Sequence, residues 1–377
     1  MLNFLIIGQG LAGTLTGYRL EQAGHTVHYA DAPGQTAASD VAAGIVNPIT
    51  GRRFVKSWMI DELVPRAKAL YEELEQLLGR KIWYEQPLIR TLYNRGDLND
   101  WQARSADAGY AAYMEDHPAT GSIPTLTAPV FAYAGVRHAA RVDVSGLVLA
   151  VRKKLAQEGR LITEKIDYAR IAPLLGAASP PPDPGPVRHA LVPHSSSGGG
   201  AAAGAKMVSE RQHHYDHVIC CEGWRARYNP YFNYLPHGGN KGEVLIVKTK
   251  APVLDRMFKH RVFLVPLAND TYWVGATSEN QFADDAPTPS NYNFLKDRLA
   301  EILTGTEYEF IGHRAAVRPT VKDRRMFIGQ HPEMPGLWIL NGLGTKGASL
   351  APMGSQWLVE AILEGKDIPA EVNIRRF

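Results

Sequence analysis

Asn3-Phe4-Leu5-Ile6-Ile7-Gly8-Gln9-Gly10-Leu11-Ala12-Gly13 is the stretch that decides the fold. Residues 4–7 form a short continuous apolar run, the pattern of a central parallel strand covered on both faces. Gly8 permits a tight turn out of that strand. Gly10 lets a ligand approach the backbone where a Cβ would block it, and Gly13 lets the following helix pack closely on the strand. Residues 11–23 read as that helix, Gly24 as its stop, and Thr26 to Ala30 as a second strand that ends at Asp31. An acid about twenty residues past the glycines can accept hydrogen bonds from a ribose, and the free N–H groups opening the helix suit a pyrophosphate. The unit therefore predicts an adenine-dinucleotide site, with a 2′-phosphate disfavoured beside Asp31. A merely tight turn is the bland alternative. The motif alone does not separate FAD from NAD.

Working outward, residues 58–78 carry apolar side chains at helical spacing, and Gly79 follows. Residues 81–137 are rich in aromatics and short strand-like runs. Val144 to Gln157 reads as a helix and 161–168 as a strand. Residues 173–206 are dominated by proline, serine, glycine and alanine and read as an exposed, flexible loop. Strand character resumes at 216–221, and residues 243–248, 261–266 and 271–276 alternate like strands of an antiparallel sheet. Near the C-terminus, the strand Leu337 to Leu340 leads into Asn341-Gly342-Leu343-Gly344-Thr345-Lys346-Gly347 and a helix over about 351–363.

The 377 residues suit two domains, or one interleaved fold. With 41 basic and 38 acidic side chains the net charge is only +3, too small to argue for nucleic acid by itself. No apolar run is long enough to span a membrane, and the N-terminus lacks a basic region and a cleavage site, so a cytoplasmic protein is expected. The two cysteines, Cys220 and Cys221, are adjacent; two reduced thiols on a buried strand are the expected state, with a strained vicinal disulfide as the alternative. No cysteine or histidine cluster suggests a metal.

Four further segments separate the cofactors. They are Ala37-Ala38-Ser39-Asp40-Val41-Ala42-Ala43-Gly44-Ile45, Cys221-Glu222-Gly223-Trp224, Arg318-Pro319-Thr320-Val321-Lys322-Asp323 with Phe327-Ile328-Gly329, and Gly342 to Pro352. In this order they resemble the D-amino-acid-oxidase-like family of FAD-dependent amine oxidoreductases. The resemblance is greatest to glycine oxidase and to the oxidase half of the bifunctional tRNA wobble-uridine modifying enzyme. It covers almost the whole chain, is patchy at 81–137 and is absent from 173–206. It implies an α/β fold, α+β overall, in which a Rossmann-like FAD-binding domain is interleaved with an antiparallel-sheet substrate domain. The FAD-binding domain would comprise 1–80, 138–225 and 311–377, and the substrate domain 81–137 and 226–310.

The resemblance also implies roles for individual residues. Gly8, Gly10, Leu11, Ala12, Gly13 and Asp31 would hold the adenosine and pyrophosphate. Ser39, Ala43, Gly44 and Ile45 would line the cofactor, Ile166 on a middle strand would meet the adenine, and Gly223 and Trp224 would pass near the pyrophosphate. Gly344, Thr345, Lys346 and Gly347 would flank the flavin pyrimidine edge, where N–H groups opening a helix and a lysine suit the negative charge a reduced flavin carries. Arg318 matches the arginine that binds the substrate carboxylate, a task its forked guanidinium suits. A structural salt bridge with Asp323 is the competing reading for Arg318, and a solvated side chain for Lys346. Phe263 stands where glycine oxidase has a substrate-binding tyrosine and cannot hydrogen-bond a carboxylate, which puts glycine itself in doubt. The basic run Arg52-Arg53-Phe54-Val55-Lys56 either faces an acidic substrate or is a solvated loop.

The expected activity is oxidation of the C–N bond of a small amino acid or carboxylate-bearing amine by hydride transfer to flavin N5, with oxygen as acceptor and FAD held non-covalently. The alternatives are the same chemistry on a modified tRNA wobble uridine, a dehydrogenase with another acceptor, and a non-catalytic flavoprotein.

Overall fold

The computed structural model describes residues 1–121, 130–176 and 214–377. Most of the expected 173–206 loop lies outside the described residues; Pro173 and Leu174 belong to a short helix, Ile171–Leu174.

A six-stranded sheet forms the base. Its order is Leu161–Ile162, Thr26–Ala30, Asn3–Ile7, His217–Cys220, Leu337–Asn341 and Phe327–Gln330. All neighbours are parallel except the last pair. The central strand shows why an unbroken apolar run is needed. Phe4 and Ile6 pack with Ala12, Leu20 and Leu358 on one side, and Leu5 and Ile7 pack with Ile171, Val218 and Ile339 on the other. Successive side chains point to opposite faces, so a strand covered on both faces has no position for a polar residue. Helix Leu11–Gln22 follows Gly10 directly. Gly8 has φ +98°, and a Cβ there would collide with the Cys221 carbonyl. A Cβ on Gly13 would collide with the Gly8 carbonyl and lie 3.0 Å from Ile6 Cγ2. Cys220 and Cys221 are buried and free.

An eight-stranded sheet lies above. Its order is Tyr308–Val321, His237–Thr249, Thr271–Gly275, Phe263–Pro266, Met257–Lys259, Leu88–Leu92, Val130–Val136 and Ala119–Gly121. The pairs are antiparallel except Met257–Lys259 with Leu88–Leu92. The strand Tyr308–Val321 pairs along the whole length of His237–Thr249.

Several elements differ from expectation. The strand expected over 161–168 stops at Ile162, so Ile166 sits on irregular chain beyond it. Helices Arg95–Ser105 and Pro289–Ala300 were not expected. Each is started by a side-chain cap, Asn94 accepting from the Asp97 N–H and Thr288 from the Asn291 N–H. The C-terminal helix begins at Gly347, four residues before the expected start, and ends at Glu364.

His237 opens the long strand with Nε2 donating to the Phe232 carbonyl at 2.9 Å and its ring 5.2 Å from that of Phe327. Burial pushes its pKa from 6.5 down to about 4. The unfolded chain therefore takes up a proton first, and the contribution of neutral His237 is complete above pH 6.5 and lost as pH falls toward about 4. Burial acts in the same direction on His217, His260 and His331. Thermal melts between pH 7.5 and 4.5 are expected to show a steady loss of Tm, with a shallower slope for His237→Gln. A flat profile for the wild type rejects this account.

Candidate active site

Between the two sheets lies a cavity of about 1140 Å³, larger than most small-molecule pockets of about 300–1,000 Å³. At one end is the N-terminus of Leu11–Gln22, where Gly10 provides no side-chain cap. Ser39 Oγ accepts from the Leu11 N–H at 3.0 Å, which ties the segment 37–45 to this helix end. Asp31 Oδ1 accepts from the Gln9 N–H at 3.1 Å, and Oδ2 faces Arg152. Glu222 accepts from Tyr168 Oη at 2.6 Å and Asn229 Nδ2 at 2.7 Å. Burial pushes its carboxyl pKa up.

At the other end, Gly344 adopts φ +55° and donates its N–H to the Pro319 carbonyl at 2.9 Å. Lys346 caps helix Gly347–Glu364 without a side-chain bond to it. The Lys346 ammonium donates to Ser57 Oγ at 3.2 Å. It is half-buried rather than solvated, and burial, then Arg324 and Arg325, push its pKa down. The wall facing this end is the eight-stranded sheet. Trp273 on that wall donates its indole N–H to the Val41 carbonyl at 2.8 Å, fixing the wall to the 37–45 segment.

Arg318 reaches from Tyr308–Val321 across Gly242. A Cβ at Gly242 would occupy the place of the guanidinium. Arg318 Nη1 donates to Asn240 Oδ1 at 2.6 Å, and both Nη atoms reach the Thr277 carbonyl at 3.3 Å. No carboxylate pairs with it among the described residues. Asp323 instead pairs with Arg376 at 3.0 Å, so the competing salt-bridge reading of Arg318 does not hold. Burial lowers the pKa of this guanidinium, as expected for a cation partly removed from water without an anion.

Of the residues expected at the site, Gly8, Gly10, Leu11, Ala12, Asp31, Ser39, Ala43, Gly44, Ile45, Ile166, Gly223, Trp224, Arg318, Gly344, Thr345, Lys346 and Gly347 all line this one cavity. Gly13 does not, because it lies at the contact between helix and strand. Phe263 also lines the cavity. Arg52 and Arg53 are exposed and outside the lining, and Lys56 pairs with Asp61 at 2.7 Å. Arg152, Arg227, Lys259 and Trp273 line the cavity and were not singled out from the sequence. Each belongs to an otherwise ordinary helix, turn or strand, and only the tertiary packing turns it inward.

These features fit FAD. Two helix N-termini whose own cap residues, Gly10 and Lys346, make no side-chain bond to the helix open into one cavity that Asp31 also lines. A family model of FAD-dependent oxidoreductases matches residues 3–361. The chain belongs to this family, whose cofactor is FAD. Among curated relatives, glycine oxidase of Geobacillus kaustophilus is 28% identical over 130 residues, 34% of each chain. The tRNA 5-methylaminomethyl-2-thiouridine biosynthesis bifunctional protein of Hahella chejuensis is 29% identical over 151 residues, 36% of this chain and 24% of that one. The matched segments thus span about a third or less of those relatives. The crystal structure of glycine oxidase from Geobacillus kaustophilus superposes with TM-score 0.74 at 20% identity, covering 100% of both chains. Likeness at that identity establishes the fold. Among the described residues no helix is long and apolar enough to cross a membrane, and no three histidine, cysteine, aspartate or glutamate side chains are grouped so as to hold a metal ion.

Proposed function

We propose that this chain oxidises the C–N bond of a small amino acid or carboxylate-bearing amine, with oxygen as the final electron acceptor. The observation that carries the proposal is Arg318, a half-buried guanidinium without an anionic partner among the described residues, on the cavity wall. Asn240 and the Thr277 carbonyl orient its fork, leaving N–H groups for a bidentate carboxylate. When bound, FAD supplies the redox chemistry by accepting a hydride. The chain's residues bind and orient. Arg318 holds the carboxylate, and the apolar wall of Val244, Phe263, Trp273 and Ala316 shapes the space beside the reacting carbon. Gly8, Gly10 and Asp31 hold the adenosine and pyrophosphate, while Gly344, Thr345, Lys346 and Gly347 flank the other end. On this reading 1–80, 138–225 and 311–377 form the FAD-binding unit and 81–137 with 226–310 the substrate unit, joined by Tyr308–Val321.

An anaerobic screen of amino acids and secondary amines tests the proposal. At least one carboxylate-bearing amine should bleach the flavin of the holoprotein, and admission of air should restore its colour quickly. Bleaching by none refutes the activity, and slow recovery points to another acceptor. Lys346→Met removes a cation next to a helix end and should shift the reduction potential of the bound cofactor to more negative values, by roughly 10 to 40 mV. An unchanged potential would show that Lys346 serves only to hold Ser57.

A further inference from the structure

Three cations lie on one face of the eight-stranded sheet. Residues directly opposite one another in paired strands share a face. Asn240 is opposite Arg318, Val244 opposite Gly275, Gly275 opposite Phe263, Phe263 opposite Lys259, and Lys259 opposite Arg90. Asn240 and Val244 are separated by an even number of residues, so the chain of pairings keeps to one side. Arg318, Lys259 and Arg90 make no ion pair with any described residue.

Lys259 is the second of these cations to line the cavity. Its ammonium stands 4.5 Å from the centre of the Phe263 ring and donates to the Arg261 carbonyl at 2.7 Å. An ammonium has three N–H donors, and this carbonyl takes one. A lysine stem is long enough to carry its head to solvent, but here the head is kept against a ring. Burial, and then Arg90, push its pKa down to about 8, the cost of a cation held without an anion. The head of Arg318 reaches the Thr277 carbonyl, just past the end of Thr271–Gly275, and the head of Lys259 lies over the neighbouring strand. With strands about 4.8 Å apart and residues about 3.3 Å apart along them, the two heads are on the order of 10 Å apart.

From this arrangement we propose that the cavity takes a short diacid amine, with one carboxylate held by Arg318 and the second acidic group held by Lys259 over Phe263. This rests on the reading of Arg318 as a carboxylate anchor and adds the substrate class. Phe263, which cannot bond a carboxylate itself, places beside it a cation that can. The second anion takes the two free N–H groups of Lys259 and offsets the charge that burial leaves uncompensated.

Binding of non-reacting acids, read as a perturbation of the bound flavin's absorbance, tests the inference without turnover. Succinate and glutarate should bind the holoprotein roughly 10- to 100-fold more tightly than butanoate and pentanoate, the usual range for one charged hydrogen bond. Lys259→Met should bring each pair to near parity, and Lys259→Arg should retain the preference. Arg318→Met should weaken the diacids and monoacids alike. Monoacids that bind through Arg318 as tightly as diacids would overturn the second subsite alone. A preference that survives in Lys259→Met would do the same. Acids that bind equally well to Arg318→Met would overturn the anchor, and absence of any perturbation by all four acids would overturn both.

Discussion

Arg318→Met is expected to lower kcat/KM for any carboxylate-bearing substrate by roughly 30- to 5,000-fold, while FAD content stays at the wild-type level. The range follows from the usual cost of about 2–5 kcal/mol for truncating one partner of a buried, hydrogen-bonded charge pair. Methionine fills much of the same volume but leaves the Thr277 carbonyl without its Arg318 donor and Asn240 Oδ1 with only the longer bond from Ser278 Oγ, at 3.3 Å. Arg318→Lys should recover little. A single ammonium cannot bond Asn240 and Thr277 and also present a planar fork. Steady-state rates combined with anaerobic flavin reduction would separate a loss of binding from a loss of chemistry. A decrease of less than threefold would remove Arg318 from the site.

Gly13→Val is expected to yield protein that purifies with little or no FAD. The new Cβ collides with the Gly8 carbonyl and crowds Ile6 Cγ2, which are backbone and buried core rather than a flexible side-chain tip. Overpacking of this kind costs about 1–3 kcal/mol and is relieved by moving the helix away from its strand. That movement takes the N–H groups that open the helix away from the place proposed for the pyrophosphate. Absorbance at flavin wavelengths relative to protein, before and after adding excess FAD, provides the measurement, together with a Tm lowered by several degrees. Full FAD occupancy would show that the helix tolerates the shift and that Gly13 has no part in cofactor retention.

Both residues could be found in the sequence, for different reasons. Gly13 belongs to a local unit whose strand, turn, helix and acid are contiguous, and contiguous patterns can be read without tertiary information. The apolar run 4–7 and the helix Val144–Gln157 were legible in the same way. Arg318 was legible only through a resemblance, since no local pattern marks a lysine or arginine on a long strand as inward-facing. Lys259 shows what remains hidden. Nothing in Met257-Phe258-Lys259 says that its side chain will lie over Phe263, because that depends on which strands pair and in which register. Helix Arg95–Ser105 was missed because it is short and polar, with only Trp101 and Ser105 buried. The strand expected over 161–168 failed at its far end because only Leu161 and Ile162 find a partner, at the edge of the sheet.

The parallel sheet also dictates an order of events. The central strand Asn3–Ile7 is made well before the partner on its second edge, His217–Cys220, and the sheet continues only with Leu337–Asn341. At translation rates of about 5–20 residues per second, the opening strand and its glycine turn wait on the order of tens of seconds for those neighbours. The Lys346 end of the cavity is made later still. The two ends of the cavity therefore come together only after Lys346 has been made, and until then the apolar strand 4–7 is paired along one edge by its parallel neighbour Thr26–Ala30.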